Sequence, residues 1–151
     1  MKRWGRRLDS IDNFLMERVT LYRPVGLKEL ELIIASAFEA FPPRLEWQPI
    51  FYPVLNQAYA EQIALEWNTV DAFSGFCGVV TAFDLDKVHF EKYAVQTVGG
   101  ATHDELWVPA GELDDFNAHI VGNIRVVRAF FGSGFEWPDS QGLVGVLSRW
   151  R

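Results

Sequence analysis

Val19-Thr20-Leu21-Tyr22-Arg23-Pro24-Val25-Gly26 is the stretch on which the fold turns. Its β-branched and aromatic residues read as a strand from Val19 to Tyr22, and Pro24 and Gly26 punctuate its end. Leu27, Leu30, Ile34, Ala37 and Phe38 then recur at helical spacing, so Leu27 to Phe38 is expected to be a helix. Arg23 therefore stands at a strand end, facing a helix start. Far downstream, His103-Asp104-Glu105-Leu106-Trp107-Val108-Pro109 has the same character, an apolar strand that carries an ionisable group. A sheet that unites Arg23 and Glu105 from distant parts of the chain is expected to be built around a site.

Working outward, Pro42-Pro43-Arg44 must be a loop, because consecutive prolines cannot continue a helix. Ile50-Phe51-Tyr52, within Pro49 to Val54, reads as a second strand that its proline limits to an edge or a strand end. Asn56 caps a helix bearing Tyr59, Ile63 and Trp67 at i, i+4, i+8. Ser74 to Phe83 is a strand, Asp86 to Tyr93 a short helix and Ala94 to Val98 a strand ending in the Gly99-Gly100 turn. Pro109 is expected to open a helix running through Leu113 and Phe116, and Ile124 to Phe131 to close the sheet. Strands and helices alternate without a steady βαβ rhythm, which predicts an α+β class: a compact mixed sheet with flanking helices. The expected organisation is an accessory N-terminal segment over residues 1–18, the main domain over 19–131 and a tail over 132–151 packed on the body. In the first, Asp9 or Ser10 caps a helix with Ile11, Phe14 and Leu15 on one face. In the last, Phe135, Trp137, Leu143 and Trp150 are costly to leave in water.

The chain has 151 residues, enough for one domain with a proper core, and is rich in aromatics, with 12 Phe and 6 Trp. The net charge is −6, and Lys2, Arg3, Arg6 and Arg7 lie near the start without an acid among them, so the remainder is more acidic still. An acidic body disfavours nucleic acid as a partner. No apolar stretch is long enough to span a bilayer and no hydrophobic signal core follows the basic head, so no membrane association and a cytoplasmic location are expected. Cys77, in Gly75-Phe76-Cys77-Gly78-Val79-Val80, reads as a buried, inert thiol.

From Leu21 to Phe131 the chain resembles small bacterial proteins labelled ADP-ribosylation/crystallin J1. The resemblance rests on Leu21-Tyr22-Arg23-Pro24-Val25-Gly26, Ala40-Phe41-Pro42-Pro43-Arg44, Pro49-Ile50-Phe51-Tyr52-Pro53-Val54-Leu55-Asn56, Glu105-Leu106-Trp107-Val108-Pro109 and Phe116-Asn117-Ala118-His119-Ile120-Val121-Gly122. The order of elements is similar to that of an ADP-ribosyltransferase fold. That resemblance implies NAD as substrate, Arg23 holding its ribose, Tyr52 in the middle position and Glu105 supporting the transition state. Tyr22, Arg44, Gln48 and His103 complete the residues expected at the nucleotide. The strand of Glu105 lacks the Gln-x-Glu or Glu-x-Glu pattern of toxins that modify arginine or asparagine.

The chemistry of these residue types agrees with those roles. Breaking the bond between nicotinamide and ribose leaves positive charge on the sugar, which a fixed carboxylate stabilises. A guanidinium offers a planar fork of donors to phosphate or ribose oxygens. The competing reading makes Arg23 and Glu105 a structural ion pair across neighbouring strands. His103 is either an acid/base partner of Glu105 or the cap of the Gly99-Gly100 turn. His89 and His119 have no partner at metal-ligand spacing, so no metal site is expected. Trp47, Trp67 and Trp107 read as core. The functional expectation is an NAD or ADP-ribosyl-ligand binding domain, an ADP-ribosyltransferase or NAD-cleaving enzyme; the alternative is a noncatalytic protein-interaction module on the same fold.

Overall fold

The computed structural model describes residues 17–151, and the expected helix around Ile11, Phe14 and Leu15 lies outside them. The central sheet is antiparallel. Strand β1 (Arg18–Val25) pairs with β3 (Cys77–Asp86) in a register running from Arg18 opposite Asp86 to Val25 opposite Val79. The other edge of β3 pairs with β7 (Ile120–Phe131). Two short ribbons complete the strands: β2 (Ile50–Phe51) with β6 (Val108–Pro109), and β4 (Val95–Thr97) with β5 (Asp104–Leu106). The α+β class holds, but every strand pairing among the described residues is antiparallel, not mixed. The chain passes two helices between β1 and β3, yet it re-enters the sheet in the opposite direction, so no parallel βαβ unit forms.

Helix α1 (Leu27–Ala35) ends earlier than its apolar spacing suggests, because Ala37 and Phe38 both adopt left-handed backbone, each with φ 61°. Helix α2 (Gln57–Glu66) starts where Asn56 accepts a 2.7 Å hydrogen bond from the Tyr59 N–H. Its Ala60 and Ala64, with Val54 and Val80, form a small core on one face of β3. The helix lies close: a Cβ on Gly78 would come within 2.6 Å of the Ala64 carbonyl oxygen. The other face carries the main core, where Phe41, Phe51, Phe83 and Phe116 meet at centroid distances of 4.9 to 6.0 Å. With both faces covered, β3 is buried almost throughout instead of alternating.

Three further helices follow. Helix α3 (Lys87–Phe90) is capped by Asp86, and helix α4 (Leu113–Ala118) lies beyond a 3₁₀ turn over Ala110–Glu112. Pro109 does not open that helix. Its backbone, at φ −55° and ψ 138°, ends β6 instead. In the tail, helix α5 (Gln141–Leu147), capped by Ser140, puts Leu143 and Leu147 into the main core.

The sheet continues past β1 through a single residue. Val54 bridges Tyr22 on one side and Glu105 on the other, so β5 is joined to β1 only across the segment around Pro53 to Leu55. Tyr22 and Val54 exchange both backbone bonds, at 2.9 and 2.8 Å. Antiparallel alternation makes the next donor on that edge residue 24, a proline with no N–H. On Val54's other side, Leu106 donates to the Pro53 carbonyl at 2.9 Å, and the reciprocal donor would again be a proline, Pro53. Both ladders stop there and the sheet splits, with Arg23 to Gly26 on one side and Tyr52, β5 and β6 on the other.

Candidate functional site

A cavity of about 550 Å³ occupies this split. Its walls come from the end of β1, the first turn of α1, the loop before β2, the C-terminal half of α2 and the β5 to β6 corner. Arg23, Arg44, Gln48, Tyr52 and Glu105 all line it, whereas Tyr22 and His103 do not.

Arg23 is 8% exposed and leaves β1 on the main-core side, in line with Leu21 and Val25. It does not pair with Glu105. Its Nε and Nη2 donate to the two carboxylate oxygens of Glu29, on the first turn of α1, at 2.7 and 2.9 Å. Its guanidinium also lies over the Phe51 ring, 4.7 Å from the centroid. Arg44 is held by its Nε donating to the Ile50 carbonyl at 3.0 Å. Burial first, and then the neighbouring Arg23 charge, hold the Arg44 guanidinium below its ordinary value. The loop that carries Arg44 is pinned by Asn117, whose buried amide exchanges two hydrogen bonds with the Phe41 backbone, at 3.0 and 2.9 Å. With Lys28, also lining the cavity, this wall holds three cations.

Glu105 lies on the other face. Cross-strand partners project together, so Tyr22, Val54 and Glu105 form one row facing α2. Arg23, one residue from Tyr22, points the opposite way. Arg23 and Glu105 therefore leave the sheet on opposite faces. They share the cavity because it passes through the split, and the structural ion pair between them is not formed. Glu105 is fixed by two neutral donors, the Tyr59 hydroxyl at 2.7 Å and the Trp107 indole N–H at 2.8 Å. Burial, reinforced by that carboxylate, pushes the Tyr59 phenol up to about 12, so it remains a donor.

Aromatic side chains ring the same wall. Tyr52 and Trp107 meet edge to face at 6.4 Å, and Trp67 and Phe73 line the cavity while 58% and 67% exposed. The reading of Trp67 and Trp107 as core is overturned, and so is that of Trp47, which is 71% exposed. Trp67 and Trp107 follow helix and strand spacing, but the split leaves their side of those elements uncovered, while Trp47 lies in the turn before β2. Gln48 shapes the loop, its Oε1 accepting from the Leu45 N–H at 3.0 Å. His103 caps the Gly99-Gly100 turn, with Nδ1 accepting from the Gly100 N–H at 3.2 Å, and stacks on Tyr59 at 4.3 Å. It supports Glu105 through Tyr59 and is not its proton partner. Tyr22 packs on the α2 core.

Sequence reasoning missed Lys28, Glu29, Tyr59 and Phe73. Only Tyr59 carried a signal, as the residue capped by Asn56. Cys77 is fully buried, and burial pushes its thiol up to about 12, as an inert residue requires. His89 and His119, which have no partner at metal-ligand spacing in the sequence, stack at 4.1 Å beside Asp115.

Fold and site together define an α+β domain with a split antiparallel sheet and a cavity that is cationic on one wall and aromatic with a fixed carboxylate on the other. Comparison with known proteins finds no matching family model, no matching curated protein and no matching solved structure. Among the described residues, no helix is long and apolar enough to cross a membrane.

Proposed function

We propose that the split cavity binds a nucleotide-type ligand, NAD or an ADP-ribosyl compound, on an ADP-ribosyltransferase-like fold, and that Glu105 assists cleavage of the bond between nicotinamide and ribose. The observation that carries this reading is the pairing of Arg23, Arg44 and Lys28 with Tyr52, Trp67, Phe73 and Trp107 around one cavity of about 550 Å³. Guanidinium and ammonium groups suit a pyrophosphate, exposed rings suit the flat faces of a base or nicotinamide, and the volume is within the ordinary range for small-molecule sites.

In this reading the diphosphate lies on the Arg23 side of the split and the nicotinamide ribose on the Glu105 side. The C–N glycosidic bond breaks with its electron pair leaving on nicotinamide. The sugar becomes oxocarbenium-like, and the carboxylate held by Tyr59 and Trp107 stabilises that charge without reorganising. Water, or a nucleophile on an acceptor protein, then forms the new bond to the anomeric carbon and loses its proton.

Calorimetric titration with NAD and with ADP-ribose, followed by measurement of free nicotinamide, tests the reading. Glu105→Gln keeps two hydrogen-bonding positions, and the Tyr59 hydroxyl can reverse to accept from the new amide. Binding should change little while nicotinamide release slows by roughly a hundredfold. No binding of either ligand by the parent protein would refute the proposal. It would favour the interaction module, for which the exposed run of Leu65, Trp67, Val70 and Phe73 at the end of α2 supplies a contact surface.

A further inference from the structure

On α3 and α4, apart from the split cavity, three side chains of metal-ligand type converge. His89 belongs to α3, Asp115 to α4, and His119 is the C-cap of α4. One donor atom from each lies within 4.8 Å of the others. His89 is 5% exposed, yet its Nε2 has weak polar company: the Tyr93 hydroxyl at 3.4 Å and Asp115 Oδ2 at 4.0 Å. His119 Nδ1 donates to the Asp115 backbone carbonyl at 2.8 Å, which leaves Nε2 as the lone-pair nitrogen of the neutral ring. The Asp115 and His119 side chains are 43% and 31% exposed, so the cluster is reached from solvent.

The geometry points to a divalent transition-metal site of the zinc type formed by His89, Asp115 and His119. Two imidazoles and one carboxylate suit zinc and its neighbours, and not magnesium or calcium, which require oxygen donors. Two features set what binding must change. The imidazoles are stacked within 9° of parallel, so both cannot aim an in-plane lone pair at one ion. His119, the more exposed ring, has to turn. Lys92 Nζ lies 3.5 Å from Asp115 Oδ2 and competes with an ion for that carboxylate. Its side chain is half exposed and free to swing outward.

Titration of the full chain with zinc chloride, read by calorimetry and by melting temperature, tests the site. The expected result is one ion per chain, with the melting temperature rising as zinc is added. His119→Ala and Asp115→Asn should each weaken binding by roughly tenfold or more. Lys92→Met should tighten it, and His103→Ala, remote from the cluster, should leave it unchanged. His119 and Asp115 are both partly exposed, so these variants test the ligands without emptying the core. Absence of saturable binding by the parent chain, or equal affinity in the parent, His119→Ala and Asp115→Asn, would overturn the assignment.

Discussion

Replacing Glu29 by Gln separates the two duties of Arg23. In the structure both oxygens of Glu29 accept from the Arg23 fork, at 2.7 and 2.9 Å, and the Arg23 side chain is only 9% exposed. Gln retains one acceptor but removes the countercharge. Breaking a buried ion pair at one partner costs about 3–5 kcal/mol. Glu29 is 21% exposed beside a cavity that water can enter, so screening lowers the expected cost to about 2 kcal/mol. For a chain of this size that corresponds to a fall in melting temperature of roughly 4–8 °C. The same change frees the guanidinium fork for an anion. Inorganic pyrophosphate or ADP-ribose, added at about a hundred times its dissociation constant, should add about 2.7 kcal/mol and so offset the whole loss. The assay is thermal unfolding of parent and variant with and without each anion. A melting temperature within about 1 °C of the parent, or a variant that gains no more from the anion than the parent does, would refute Glu29 as the placeholder of an anion site.

Two further outcomes follow from packing and burial. Gly78→Ala should destabilise the chain by about 2 kcal/mol or more, because its Cβ would press on the Ala64 backbone at 2.6 Å and lift α2 from β3, an effect read directly by denaturant unfolding. Burial, with His119 and then Lys92 beside it, holds the His89 imidazole below its ordinary value. The unfolded chain therefore takes up that proton first: the stabilisation is fully present above about pH 6.5 and is lost as pH falls through the unfolded value toward the folded one. The melting temperature should drop over that window more steeply in the parent than in His89→Gln, and equal slopes would sink the assignment.

Local chemistry was legible in the chain. Asn56 caps its helix, Pro42 and Pro43 lie in a loop, and the apolar runs around Leu21, Val79 and Val126 are strands, because dihedral preference and side-chain period act within a few residues. The lining positions Arg23, Arg44, Gln48, Tyr52 and Glu105 could be named for the same reason: ionisable and aromatic residues at strand ends and loops stand out against an apolar pattern. Even the split is written in Pro24 and Pro53, whose missing N–H groups stop two ladders, although nothing local says which ladders they are.

Only the tertiary structure decided who meets whom. Glu29, not Glu105, became the partner of Arg23, since the turn after Gly26 folds α1 back over the end of β1. Glu105 faces α2, and Arg23 the main core, through the register at Val54, and a shift of one residue would have exchanged the faces. His89 and His119 meet because α3 and α4 pack together, and α5 enters the core because β7 returns the chain to α1. Such pairings depend on long-range register and on which surfaces remain to be covered. A residue's own dihedral preferences carry neither.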